Sequence, residues 1–273
     1  MMISSNWVSP YDLADIFRLL HSQGVNPIIV GGQAVNLWGL AYHRPGEPAW
    51  DALLPYASMD LDYFGSKVEV FLCEQALRTF GAVAVLSEPF SNSPQSGVVT
   101  LQLPNPSRSF RIDILGSVFG LSDGEVASTA LVWNGIGPLA GVDLKVLHPL
   151  LCLEGKLRNL YTLPQEKRQD LKHLRISCLC VNAWMEQTLL QEGEQAARPL
   201  LRAAARLMDL AERDAGLSAW YFHGVIIEQA IAIDAFTQNE NPKLAQFLKL
   251  NWPQLIARLN QRREIYTKLQ ERS

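Results

Sequence analysis

Apolar positions recur along this chain with two periods, and the change from mixed to purely helical spacing falls near residue 148. Leu13, Ile16, Phe17 and Leu20 repeat at helical spacing behind Ser9 and Pro10, an N-cap and a first helical position, and Gly24 ends the run. Pro27 opens a short strand at 28–30, two glycines follow, and residues 33–41 return to a helical pattern. In residues 59–64 the apolar Met59, Leu61 and Tyr63 alternate with Asp60 and Asp62, which predicts a strand with both aspartates on one face. Residues 68–80 read as a helix closed by Gly81, and 82–86 as a strand. Residues 98–103 and 110–115 read as a hairpin turning at 104–107, and 128–133 and 142–146 are the last strand candidates. Residues 42–57 carry Pro45, Gly46, Pro48 and Pro55 and read as an inserted loop in which Trp50 packs, while 87–97 and 116–124 read as loops.

From Pro149 onward only the helical period is left. Stretches 150–160, 166–192, 196–214, 219–236 and 241–263 are each helical, with Gly193, Pro199, Gly216 and Pro242 near the breaks. The expected class is α+β: a mixed sheet with helices over residues 1–148, then an all-helical bundle over 149–273.

The 273 residues suffice for one large domain or two small ones. Net charge is −3, but its distribution is uneven. Residues 1–145 hold 7 Lys and Arg against 13 Asp and Glu, and residues 146–273 hold 17 against 14. The basic half could face an anion, or its charges could be a solvated helix surface. Cys73, Cys152, Cys178 and Cys180 show no paired C-x-x-C spacing, which suits a reducing compartment. Neither a leader pattern nor a membrane-spanning run is evident, so a cytoplasmic protein is expected.

The chemistry lies in three places. Gly31 and Gly32 let the backbone turn and bring its N–H groups to a ligand, with a helix N-terminus behind them to favour phosphate. Asp60 and Asp62 share one face of a strand. Asp113 sits in a second strand, opposite in direction to Phe110, Ile112 and Ile114. Three convergent carboxylates suit hard divalent cations, which nucleotidyl transfer employs in pairs about 4 Å apart. An ordinary strand-to-helix turn and solvated strand faces would explain the same residues without chemistry. Walker-A spacing, G-x-G-x-x-G and a G-x-S-x-G elbow are all absent. His43, His148 and His223 read as structural, and Trp184 and Trp220 as core.

In that order, Gly31-Gly32, Asp60-Leu61-Asp62 and Asp113 resemble the signature of the nucleotidyltransferase fold shared with DNA polymerase beta. Within it the chain is most similar to the AbiEii/AbiGii-type toxin nucleotidyltransferases, over roughly residues 15 to 175. It departs in having Gln33 where Ser or Thr is usual, and in the length of the segment between Gly32 and Asp60. The family also carries a lysine on the helix after the sheet and a basic-then-Asp motif on the next helix. Lys156, and Lys167-Arg168-Gln169-Asp170 with His173, look similar, although Gln169 and His173 stand where Lys and an acid are frequent.

The resemblance implies Asp60, Asp62 and Asp113 as catalytic and metal-binding, with Mg²⁺ or Mn²⁺. It implies Gly31, Gly32, Gln33, Lys156 and Asp170 as nucleotide-binding. Lys156, one position off the Leu153, Leu157 and Leu160 stripe, would be an exposed side chain reaching the triphosphate. The implied activity is transfer of an NMP from an NTP to an acceptor, tRNA or another RNA or a protein, in a toxin–antitoxin or phage-defence setting with an antitoxin partner and no membrane. Two rivals stand beside it: a small-molecule, antibiotic-type nucleotidyltransferase, and a non-catalytic descendant that binds a nucleotide or a protein.

Overall fold

The computed structural model describes residues 7–88, 93–104, 107–166 and 168–272. Residues 1–6, 89–92, 105–106, 167 and 273 lie outside them, and with them part of the expected loop at 87–97, the middle of the expected turn at 104–107 and Lys167 of the basic motif. The chain opens with one 3-10 turn, Pro10–Leu13, and α1 (Ala14–Ser22). Ser9 caps that turn as expected, in a reciprocal box with Asp12. Then come β1 (Ile28–Val30), α2 (Gly31–Tyr42), α3 (Pro48–Asp51), β2 (Leu61–Phe64), α4 (Lys67–Ala76), β3 (Val83–Leu86), β4 (Gln95–Pro104) and β5 (Ser107–Leu115). The sheet is completed by β6 (Leu131–Asn134) and β7 (Asp143–Val146), with α5 (Asp123–Thr129) before them. Among the described residues no strand follows, only α6 (Pro149–Thr162), α7 (Asp170–Glu192), α8 (Ala197–Glu212), α9 (Asp214–His223), α10 (Ile233–Thr237), α11 (Pro242–Gln246) and α12 (Trp252–Gln270).

Several boundaries differ from expectation for local reasons. Residues 123–129 form a helix where a loop and a strand start were expected, since a seven-residue helix shows no full amphipathic repeat. The stretch 219–236 is not one helix. Gly224 at φ 63° ends α9, and a separate 3-10 turn follows before α10. Asp60 lies in a bend just before β2, not inside the strand.

The seven strands run in the order β3-β4-β5-β2-β1-β7-β6. The sheet is mixed: β1 pairs β2 antiparallel and β7 parallel, and β2 pairs β5 parallel. Its two faces have different fates. Leu61, Tyr63, Ile112 and Ile114 are buried, in a core shared with Leu13, Ile16 and Phe17 and with Val70 and Cys73 of α4. Their neighbours Asp62 and Asp113 face the other way, toward α2, α6 and α7. The β3 edge is closed in part by Glu74, whose carboxylate accepts the Ala84 N–H at 2.8 Å.

Two apolar cores meet at α6 and α7. Leu151 and Ile176 join the sheet core, while Leu153, Leu157, Leu174 and Met185 join the helical one. Buried Glu154 strengthens the junction, accepting Arg158 at 2.6 Å and Arg206 at 2.7 Å, and Arg206 also reaches Glu125 of α5. His148 caps α6, accepting the Leu150 N–H at 3.1 Å. Burial, with Arg206 adding to it, pushes that imidazole down to about 4, so it stays a neutral acceptor. The inserted segment 42–57 docks on α7 through an Arg44–Glu186 ion pair and a Lys172 bond to the Pro55 carbonyl, with Trp50 buried. Among the described residues no helix is long and apolar enough to cross a membrane.

Candidate functional site

Parallel pairing of β2 with β5 sets Asp62 directly beside Asp113, because the two are register partners. Asp60, just ahead of β2, folds back to the same place. One carboxylate oxygen from each of the three lies within 4.8 Å of the others. On the other side of Asp62, antiparallel pairing puts it opposite Val30, the last residue before α2. Gly31 then starts the helix at φ 65°, and a β-carbon there would lie 2.0 Å from Asp62 Oδ2. No side chain fits, so glycine is what allows the carboxylate to stand against the first turn of α2. Gly32 is equally confined: a β-carbon would fall 2.2 Å from Ser58 Oγ and 3.0 Å from His173 Cε1.

These groups line one cleft of about 700 Å³ between the sheet and α6 and α7. Gly31, Gly32, the three aspartates, Lys156, Arg168, Asp170 and His173 all face it. The residues expected to converge therefore do so, with one exception. Gln33 is fully buried, donates to the Val8 carbonyl at 3.0 Å and accepts from Asn36, and does not reach the cleft. It pins the segment containing Val8, which also exchanges two backbone bonds with Ser58 at 2.8 and 2.9 Å.

Lys156 is not the exposed side chain that its sequence position suggested. It is 7% exposed and bonded to Asp170 at 2.9 Å, and Arg168 holds the other Asp170 oxygen at 2.5 Å. The stripe on α6 faces the helical core, but α7 packs across α6 and encloses the neighbouring position as well. Burial alone would raise the Asp170 carboxyl; Lys156 and Arg168 overcome it and hold the group below its usual range.

The sheet wall is electrostatically opposite. Burial pushes Asp62 up from its ordinary 3.8 to about 8, the Asp60 and Asp113 charges add to this, and Lys156 and Arg168 offset part of it. Asp113 is also raised by burial, against the pull of Arg111. Arg111 and Gln95 both hold Asp113 Oδ1, through bonds of 2.8 Å each, leaving Oδ2 outside those contacts. Neither residue was singled out in the sequence, though Arg111 precedes Asp113 by two strand positions and so had to share its face. Gln95 lay in what read as a loop.

The donor set is three carboxylates with no hydrogen bond or ion pair to Asp60 or Asp62 among the described residues, and with like charges forced together. Hard divalent cations such as Mg²⁺ or Mn²⁺ fit such a set. Comparison with protein-family models, with curated proteins and with solved structures yields no match.

Proposed function

We propose that the chain is a metal-dependent nucleotidyltransferase, moving a nucleoside monophosphate from an NTP to an acceptor hydroxyl on RNA or protein. The observation that carries this reading is the convergence of Asp60, Asp62 and Asp113 beside the glycine start of α2. Bound by the three carboxylates, Mg²⁺ or Mn²⁺ would supply Lewis acidity toward the phosphoryl oxygens and the attacking oxygen. The chain's own part is positional. The first turn of α2 offers N–H groups and the positive end of the helix dipole to the triphosphate. Lys156 and Arg168 carry one positive charge between them in excess of Asp170, available to the same anion. Asp113 Oδ2, outside the grip of Arg111 and Gln95, is placed to take the acceptor's hydroxyl proton. The acceptor oxygen bonds the α-phosphorus, the bond to the bridging oxygen breaks, and pyrophosphate leaves with that electron pair.

A second reading, nucleotide binding without transfer, is favoured by the prior engagement of Asp113 with Arg111 and of Lys156 with Asp170. One experiment separates the two. Wild type and Asp62→Ala are incubated with each NTP, Mg²⁺ or Mn²⁺, and pools of cellular RNA or protein, and pyrophosphate is measured. Release by wild type alone supports transfer; nucleotide binding with no release from any pool supports the binding reading.

A further inference from the structure

Many cations of the helical half are answered by a carboxylate. On α8, Arg206 holds both Glu125 and Glu154; on α12, Arg258 holds Glu212 and Arg263 holds Glu228. Arg198 and Arg202 precede Arg206 at four-residue steps along α8 and are not answered in this way. Among the described residues their side chains have no hydrogen bond or ion pair, and neither has that of Lys243 on α11. All three are exposed, and they line one pocket of about 440 Å³ between α8 and α11. Among the described residues no carboxylate lines it. Like charges one turn apart destabilise a helix, and Lys243, brought against them from another helix, adds to the repulsion.

The pocket also has an apolar part, made by Leu201, Ala205 and Phe247. Phe247 belongs to a π-turn, Phe247–Asn251, that joins α11 to α12. Pro253 has no N–H to give the Lys249 carbonyl four residues back, and the helix passes that place with a wider ring. Such turns are rare and recur at functional sites. Here Phe247 and Asn251, the two ends of the turn, both line the pocket, with Gln246 just before them.

We propose that this pocket binds a small organic phosphate, a monoester whose phosphoryl group sits among Arg198, Arg202 and Lys243 and whose organic part lies on Leu201, Ala205 and Phe247. No residue lines both this pocket and the cleft, so the inference is independent of the chemistry proposed there. Charge decides the class of ligand. A phosphate monoester carries nearly two negative charges near neutral pH, whereas a carboxylate would answer only one of three cations. Guanidinium groups hold phosphate oxygens through paired hydrogen bonds, and the amides of Gln246 and Asn251 can donate beside them. Size and layout favour a small molecule. The volume lies in the range of about 300–1,000 Å³ usual for such ligands. The cations gather on one pocket and form no track of the kind that follows a nucleic-acid backbone.

The test titrates naphthyl phosphate and naphthol into the full chain by calorimetry, without divalent metal. The ester should bind, and naphthol far more weakly. Arg198→Gln combined with Arg202→Gln should weaken the ester roughly 5- to 30-fold, as for two exposed charge contacts. Ala205→Glu, which sets a carboxylate among the cations, should abolish binding. Both variants should resist urea at least as well as the wild type, because each relieves like-charge repulsion. Equal affinity of the wild type and the double variant would place the phosphate elsewhere and overturn the inference. Naphthol binding as tightly as its ester would do the same, leaving an apolar groove without a phosphate site. Tighter binding of a single-stranded RNA, lost in the same variants, would overturn it in favour of a polynucleotide surface. A loss of stability in the double variant would give the two arginines a structural role instead.

Discussion

The two walls of the cleft handle carboxylate charge in opposite ways: Asp170 and Asp113 are buried, while Asp60 and Asp62 are partly buried. On the helical wall, Asp170 lies between Lys156 and Arg168, each within hydrogen-bond distance, and all its charge is answered. On the sheet wall, Asp60, Asp62 and Asp113 answer one another only with repulsion, relieved at Asp113 by Arg111. Buried charge is normally paired. The helical wall is therefore a finished piece of structure that also borders the cleft. The sheet wall is unfinished without a counter-charge, and that imbalance is what the proposed metal site rests on.

The strongest way to break this contrast is to remove the crowding. Asp60→Ala with Asp62→Ala should abolish Mn²⁺ binding while the protein stays folded, and a Mn²⁺ titration matching wild type would sink the metal assignment. A pH experiment sharpens the point. The folded state binds the Asp62 proton more tightly than the unfolded chain does, since the pKa rises from 3.8 to about 8 on folding. Metal-free stability should therefore fall as pH rises from about 4 to about 8. Asp62→Asn should flatten that fall in urea unfolding, and saturating Mg²⁺ should oppose it.

Next in size is the helical wall. Asp170→Ala would strand Lys156 in the interior, and breaking a buried pair in this way costs about 3–5 kcal/mol. Lys156→Ala should cost less, because Asp170 retains Arg168. Unfolding midpoints in the order wild type, Lys156→Ala, Asp170→Ala would bear this out. Equal losses would mean that Arg168 does not share the load.

How much of this was legible depended on which wall was being read. Strand alternation alone placed Asp62 and Asp113 opposite Leu61 and Ile112, and it had only to be joined to the register of β2 and β5 to give the cluster. No sequence period encodes that register, which comes from chain crossing between distant strands. The helical wall was less legible. One position on α6 decides whether Lys156 points to water or to Asp170, and that depends on α7 crossing over it. Gln33 failed differently: its place beside two glycines suggested a ligand, but the partner that claims it, Val8, arrives from 25 residues away.

Gln33 gives a smaller, separating test. Gln33→Leu removes the donor to the Val8 carbonyl and leaves Asn36 short of an acceptor, which should cost about 1–3 kcal/mol. Nucleotide affinity should not change, since the side chain does not face the cleft. A loss of affinity without a loss of stability would return Gln33 to the binding site.

The smallest expected effect falls where the two walls are most alike, at Arg111. This residue gives Asp113 the kind of partner that Asp170 has, but it is largely exposed, so water and salt screen it. Burial raises the Asp113 carboxyl and Arg111 draws it back. In Arg111→Gln the carboxyl should rise further and compete for its proton with a bound cation. Metal binding should then weaken in acid more than in base: roughly two- to fivefold near pH 6, the range of an exposed pair, and scarcely at pH 8. Gln95 still holds Oδ1 in the variant, so the orientation of Asp113 is preserved and only its charge balance shifts. Mn²⁺ titrations at the two pH values decide the matter. An equal loss at both would make Arg111 a positioning group, and an unchanged affinity would leave Asp113 as crowded as Asp62, with the sheet wall uncompensated along its whole length.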